Sequence, residues 1–305
     1  MTGPAIRIDG LTKYYGAVVG IEDLSLEVER GEVFGFLGAN GAGKTTTIRI
    51  LLDLLRPSRG GAAVLGSDCQ RESLQARRHI GYLPGELPVY PDLSAGGYLK
   101  YLSQLDGRPV PSPYLAQLLR RFDVSELDLR RRLRDQSHGM KQKIGIVQAL
   151  MARPPVAILD EPTAGLDPFM VHAFRSVIDD IRHHGETTVF LSSHVLTEVE
   201  ATCDRVGIIR GGRIVNVSAL DELKARGSRR IVIQFSAAVA PPAPTQGVHV
   251  HNVAPTQWEL DVDGPLESLM RVLATLPVGD MSVEPFSLER HVLGLYRAPE
   301  PGGPT

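Results

Sequence analysis

The sequence predicts an α/β fold followed by a small α+β appendage, and three observations carry that prediction. Unbroken apolar runs at "EVFGFLG", "VAILD" and "TTVFLSSH" read as strands buried on both faces. Helical patterns lie between those runs. Around Leu223 the texture changes to short strand candidates broken by Pro-rich loops. With 305 residues the chain is long enough for two domains of about 150 residues each. The expected division is 1–223 and 224–305, with a helical segment at about 86–150.

The elements follow in order. "AIRIDGL" and "IEDLSLEV" alternate apolar and polar residues, as half-buried antiparallel strands do. "EVFGFLG" is the first buried strand. After Lys44 a helix is expected through "TTTIRILLDLL", ended by Pro57 and Gly60. From about Gln70 to Arg134 the pattern is mostly helical. "VAILD" and "TTVFLSSH" supply further buried strands, and "VGIIRGGRIVNV" a hairpin turning at Gly211 and Gly212. In the appendage, strands are expected at "RRIVIQFS", "VHVHNV" and "QWELDV", and a helix at "PLESLMRVLATL". The closing "SLERHVLGLY" is helix-like, and no internal repeat is visible.

Composition narrows the classes. The formal net charge of −2 provides no field directed at nucleic acid or anionic lipid. "LRRRLR", ending at Arg134, therefore reads as a solvated helix face. Cys69 and Cys203 form no CxxC pair, so neither a disulfide framework nor a zinc site is indicated and a reducing cytoplasm fits. "MTGPAIRIDG" lacks the basic-then-apolar pattern of a signal peptide. No stretch approaches the roughly 18 apolar residues of a spanning helix. The expectation is no direct membrane insertion, with any membrane link made through a partner.

"GANGAGKT", Gly38 to Thr45, fits GxxxxGK[ST], the P-loop pattern, with a buried strand before it and a helix after. Gly38, Gly41 and Gly43 let the backbone, with Asn40 between them, approach a ligand closely. Successive N–H groups then face phosphate oxygens at a helix N-terminus. Lys44 is placed for the β- and γ-phosphates, Thr45 for Mg²⁺ and Thr46 for the α-phosphate. "VAILD" ends at Asp160 and is followed by Glu161. Carboxylates leaving a buried strand sit where α/β sheets bind ligands. Asp160 is placed to hold Mg²⁺ through water, and Glu161 to polarise an attacking water.

With these motifs the chain resembles an ATP-binding cassette (ABC) nucleotide-binding subunit over about Ile6 to Leu223. "KYYG" puts Tyr15 where that family stacks a ring on adenine. "DQSHGMKQK" matches the family signature at Ser137 and Gly139. "AGLDP" resembles the D-loop, with Asp167 as its acid, and "LSSH" puts His194 at the switch histidine. The resemblance implies a P-loop ABC ATPase domain: a mixed sheet, an antiparallel β subdomain and a helical subdomain. It implies ATP and Mg²⁺ as ligands, with Glu161 and His194 catalytic. Two such subunits, a homodimer or a heterodimer, would pack head to tail so that Ser137 of one faces the P-loop of the other. An integral membrane permease subunit is the implied partner, and the cytoplasmic face of the cell membrane the implied location. "LPVYPDLSAGGYLKYL" should receive it, with Tyr90, Leu93 and Tyr98 as contacts.

Two departures stand out. Gly85, followed by Glu86, occupies the loop position where the family has Gln. Glu86 either replaces it at the metal or sits in a flexible turn. His138 stands where the signature has Gly and Gln136 where it has Leu. His138 either brings a titratable charge to the phosphate or faces away. The tail "SVEPFSLERHVLGLY" resembles that of drug-resistance export subunits of the daunorubicin-resistance type, though Arg290 and His291 depart from it. An exporter ATPase is the expected function. The alternatives are a weakly hydrolytic regulatory subunit of a heterodimer and a soluble, non-transport ABC ATPase.

Overall fold

The computed structural model describes residues 3–87, 90–226, 229–240, 247–262, 266–284, 287–289 and 292. By internal contacts the chain divides into two compact units, residues 1–217 and 218–305. The tail departures at Arg290 and His291 lie outside the described residues, as does most of the Pro-rich loop before Gly247.

In the first unit, β1 (Ile6–Tyr15) and β2 (Val18–Val28) form an antiparallel hairpin. β3 (Val33–Leu37) is buried along its whole length. The P-loop follows, then α1 (Lys44–Leu51). α1 stops well before Pro57, because Asp53 takes a left-handed φ of 53° and the amides of Leu54 and Leu55 turn back to the Arg49 carbonyl. The turn chemistry, not the proline, ends the helix. β4 (Arg59–Val64), β5 (Ser67–Asp68), α2 (Ser73–Arg78) and β6 (Ile80–Leu83) lead into the helical segment. There α3 (Ala95–Asp106), α4 (Ser112–Arg121), α5 (Glu126–Arg130) and α6 (His138–Leu150) follow. The Arg-rich run is not one helix face. α5 ends at Arg130, Arg131 and Arg132 are extended, and a 3₁₀ turn begins at Leu133, whose side chain is buried. Then come β7 (Val156–Asp160), α7 (Pro168–His184), β8 (Thr188–Ser193), α8 (Leu196–Thr202), β9 (Arg205–Arg210) and β10 (Arg213–Ala219).

These strands form two sheets. One has the order β2-β1-β4-β5, with antiparallel pairing. The other has the order β10-β9-β3-β8-β7-β6, and its strands from β9 to β6 are parallel. A shared core joins Ile6, Ile8 and Leu24 of the first sheet to Phe34, Phe36, Ile158 and Phe190 of the second and to Ile48 of α1. Phe34 and Phe190 stack at 5.9 Å. Full burial of one such side chain stabilises by about 1.5–3 kcal/mol. β3, flanked on both sides, carries its carboxyl end into the P-loop.

The second unit holds α9 (Leu220–Arg226), β11 (Arg229–Phe235), β12 (Val248–Ala254), β13 (Gln257–Val262), α10 (Glu267–Leu273) and β14 (Val278–Glu284). Its antiparallel sheet runs β12-β13-β11-β14. Alternate residues Ile231, Ile233 and Phe235 face Leu260 and Trp258, and Leu269 and Leu273 of α10 cover them. "MSVE", Met281 to Glu284, belongs to β14. Its strand pattern is faint because β14 is an edge strand, mostly exposed, that turns Met281 to the core. Both cysteines are buried and unpaired. Among the described residues no helix is long and apolar enough to cross a membrane.

Candidate functional site

The P-loop leaves β3 at Gly38 and enters α1 at Lys44. Gly43 sits at φ 114°, and a Cβ there would stand 2.6 Å from the Ile21 side chain. Only glycine meets both demands. Lys44, the first helical residue, is just 6% exposed. Its Nζ donates to the Gly38 carbonyl at 2.7 Å and the Ala39 carbonyl at 3.4 Å, and lies 3.3 Å from Glu161 Oε1. A buried ammonium needs such partners. The first amides of α1 have no intrahelical acceptor. They border an open cavity of about 200 Å³ lined by P-loop residues between Ala39 and Thr46 and by Glu161. Free amides, a helix N-terminus and an ammonium together suit a polyanion such as the tail of a nucleoside triphosphate.

The acidic groups arrive from β7. Asp160 is 3% exposed; Oδ1 accepts from the Ser192 hydroxyl at 2.5 Å and Oδ2 from the Thr45 hydroxyl at 3.3 Å. Paired hard oxygens of this kind fit Mg²⁺. Burial, then the charge of Asp160, pushes the Tyr82 hydroxyl up to about 12. Glu161 takes φ 51°, a left-handed conformation costing a non-glycine residue about 1–3 kcal/mol. Surrounding bonds hold it there. Its amide donates to the Ser192 carbonyl at 3.1 Å, and its carbonyl accepts from the Ala164 amide at 3.2 Å. Glu161 Oε2 lies 2.7 Å from His194 Nδ1. Lys44, Glu161 and His194 thus form one continuous run, with His194 half exposed.

Tyr15 stands beside the loop, 46% exposed, with its hydroxyl 3.4 Å from Thr46 Oγ1. Asn40 and Gly41 are exposed at the loop's tip. At Gly85 a Cβ would lie 3.5 Å from Asp160 Oδ2, so a side chain at that position would face the carboxylate. Glu86 is exposed. Among the described residues no three acidic, His or Cys side chains gather as a metal set, so Glu86 does not join Asp160 and Glu161.

The signature and D-loop residues form a separate cluster. Ser137 caps α6, accepting from the Met140 amide at 3.2 Å, and Asp167 caps α7, accepting from the Met170 amide at 3.0 Å. Both are exposed. His138 faces the D-loop of its own chain. Its ring lies so close to Gly165 that a Cβ there would overlap it, and a Cβ on Gly139 would stand 2.9 Å from the Gly165 carbonyl. The signature and the D-loop of one chain are therefore packed together. Gln136 is buried, and its amide donates to the Asp128 carbonyl at 2.8 Å.

Two residues escaped the sequence reading. Ser192 bonds both Asp160 and the Glu161 amide. Gln142, 2% exposed in α6, donates to the Glu161 carbonyl at 3.1 Å and the Pro162 carbonyl at 2.9 Å. A polar residue on a helix face shared with buried Gly145 and Ala149 was the available signal. The expected contact Tyr98 is corrected: it is 3% exposed, packed inward in α3, whereas Tyr90 and Tyr101 are exposed at 51% and 39%.

Known proteins match this arrangement. The ABC transporter family profile matches residues 21–164. Bacitracin transport ATP-binding protein BcrA of Bacillus licheniformis is 35% identical over 231 residues, 76% of this chain and 75% of that one. Daunorubicin resistance ATP-binding protein DrrA3 of Streptomyces coeruleorubidus is 35% identical over 304 residues, covering 96% and 94%. A solved ATP-binding subunit of an ABC transporter superposes with a TM-score of 0.68 at 32% identity, over 72% of this chain and 92% of that one. A dimeric ATP-binding cassette in a post-hydrolysis state, bound to ADP and Pi, shares the fold with a TM-score of 0.65 at 19% identity, over 70% and 98%. The chain belongs to the ABC transporter family, as one of its ATP-binding, ATP-hydrolysing subunits.

Proposed function

We propose that this subunit powers export of a drug, antibiotic or other hydrophobic compound from the cytoplasmic face of the membrane, through a separate permease. The observation that carries the ATPase half is the Lys44–Glu161–His194 run at the mouth of the P-loop. On nucleotide binding Lys44 exchanges Glu161 for phosphate oxygens. Each charge-assisted bond contributes about 1.5–3 kcal/mol. Thr45 and Asp160 would hold Mg²⁺, which when bound neutralises phosphate charge. Tyr15 would stack on the adenine. Glu161 then accepts a proton from the water that attacks the γ-phosphorus, His194 orients the reacting groups, and the bond to ADP breaks. Such chemistry needs mainly positioning and charge stabilisation.

Export rests on the relatives named for bacitracin transport and daunorubicin resistance. For the permease, the fitting surface is a cavity of about 350 Å³ between β6 and α3, with Leu54 and Leu105 on its rim. Those leucines are 60% and 65% exposed, and Tyr90 and Tyr101, which pack edge to face, are exposed in the same helical segment. Ser137 and Asp167, exposed, and Gly139, partly exposed, do not line their own phosphate cavity and would complete the ATP site of a second cassette.

Gly85 favours a second reading, a slow, regulatory subunit, because glycine offers no side chain to Asp160 at the position where a Cβ would lie 3.5 Å from its carboxylate. Titration calorimetry with Mg-ATP, alongside a turnover assay, tests the main proposal. The K44A variant should lose at least about 10- to 100-fold in affinity, the range of one lost charge-assisted bond. Unchanged binding would refute it.

A further inference from the structure

We infer that Gln142 is a positioning residue for hydrolysis, tying the signature helix to the catalytic glutamate of its own chain. The inference rests on the assignment of Glu161 proposed above. Gln142 is 2% exposed, and its side-chain amide donates to two consecutive main-chain carbonyls, of Glu161 and Pro162. The first of those carbonyls belongs to Glu161 itself, a non-glycine residue held at positive φ, and the second to the residue after it. The Glu161 carboxylate is fixed on one side by Lys44 and on the other by His194. Its backbone is fixed by Ser192 from β8 and by Gln142 from α6.

The geometry gives this amide a second consequence. α6 begins at His138, directly after Ser137. Gln142 sits five residues beyond Ser137, about 7.5 Å along the helix axis. A shift of the signature end of α6 therefore pulls on the carbonyl of the catalytic residue. Closure of Ser137 on the nucleotide of a second cassette is thereby conveyed to Glu161 of the same chain. The His138 contact with Gly165 runs parallel to this tie, joining the same helix start to the D-loop that follows Glu161.

The test is Q142M, which keeps side-chain length and removes both donors. Without them the left-handed turn is free to relax, and a misplacement of about 1 Å costs up to 100-fold in rate. The expected result is a kcat lowered about 10- to 100-fold, with KM for ATP and calorimetric ADP affinity unchanged within about twofold. In an E161Q background the same substitution should lower the residual rate no further, because its effect runs through Glu161. Merely structural damage would lower both backgrounds alike. Should Q142M not fold, Q142N keeps the amide but stops one methylene short, and the same two comparisons apply. Unchanged kcat, or an equal loss in both backgrounds, overturns the inference. Wild-type protein that binds ADP but does not turn over ATP overturns the hydrolytic reading itself, and the inference with it.

Discussion

The P-loop cavity and the signature region lie in one compact unit, yet they are built in opposite ways. At the P-loop every charged group has an internal partner: Lys44 has two carbonyls and Glu161, and Asp160 has Ser192 and Thr45. At the signature, Ser137 and Asp167 cap helices and otherwise face solvent. The first is a site already organised and waiting for an anion. The second is organised backbone with nothing in its own chain to act on. On the reading proposed above, the difference is that between the half of an ATP site a cassette keeps and the half it offers to a second cassette.

The largest expected effect tests the organised half. E161Q keeps the shape of the side chain and removes the base. Turnover should fall about 10²- to 10⁴-fold with nucleotide binding intact, and Mg-ATP should then trap a dimer visible by gel filtration. Undiminished turnover in the assembled transporter would instead support the regulatory reading. A smaller effect is expected at the offered half. S137N retains an N-cap but replaces the hydroxyl with a bulkier carboxamide. ADP affinity of the single chain should not change, whereas ATP-driven dimerisation should weaken about tenfold or more, the loss of one charge-assisted bond. Weakened ADP binding by the lone chain would erase the contrast between the halves.

The smallest effect controls for scaffold damage. Ser125 caps α5 in a reciprocal box with Asp128. The bonds from Ser125 hold the Asp128 carboxyl below its ordinary value. The stabilisation is therefore present above the unfolded-state value and lost as pH falls through the folded one. S125A should cost about 1 kcal/mol, or about 2–4 °C in Tm for a unit of this size. That difference should shrink in acid, as followed by thermal unfolding at pH 7 and at pH 3. ATP turnover should be unaffected.

Much of the site was legible before any coordinates. The spacing of Gly38, Gly43 and Lys44, and a buried strand ending at Asp160, are local patterns, and local patterns are written consecutively in the chain. The end of α1 was misjudged because Asp53 entered the left-handed region ahead of the proline. The exposure of Tyr98 was misjudged because the rotation of α3 about its axis depends on what it packs against. β14 was missed because an edge strand exposed along most of its length carries little alternation.

The sequence by itself determined a phosphate-binding loop, its acidic counterpart, and a parallel sheet to carry both, since each depends on residue types at fixed short spacing. Only the tertiary structure decided that Lys44 and Glu161 neutralise one another, that His138 packs beside Gly165, and that Gln142 grips the catalytic turn. These contacts join residues 19 to 117 positions apart in the chain. Nothing in a linear pattern specifies which buried polar group will find which partner, because that pairing is set by packing.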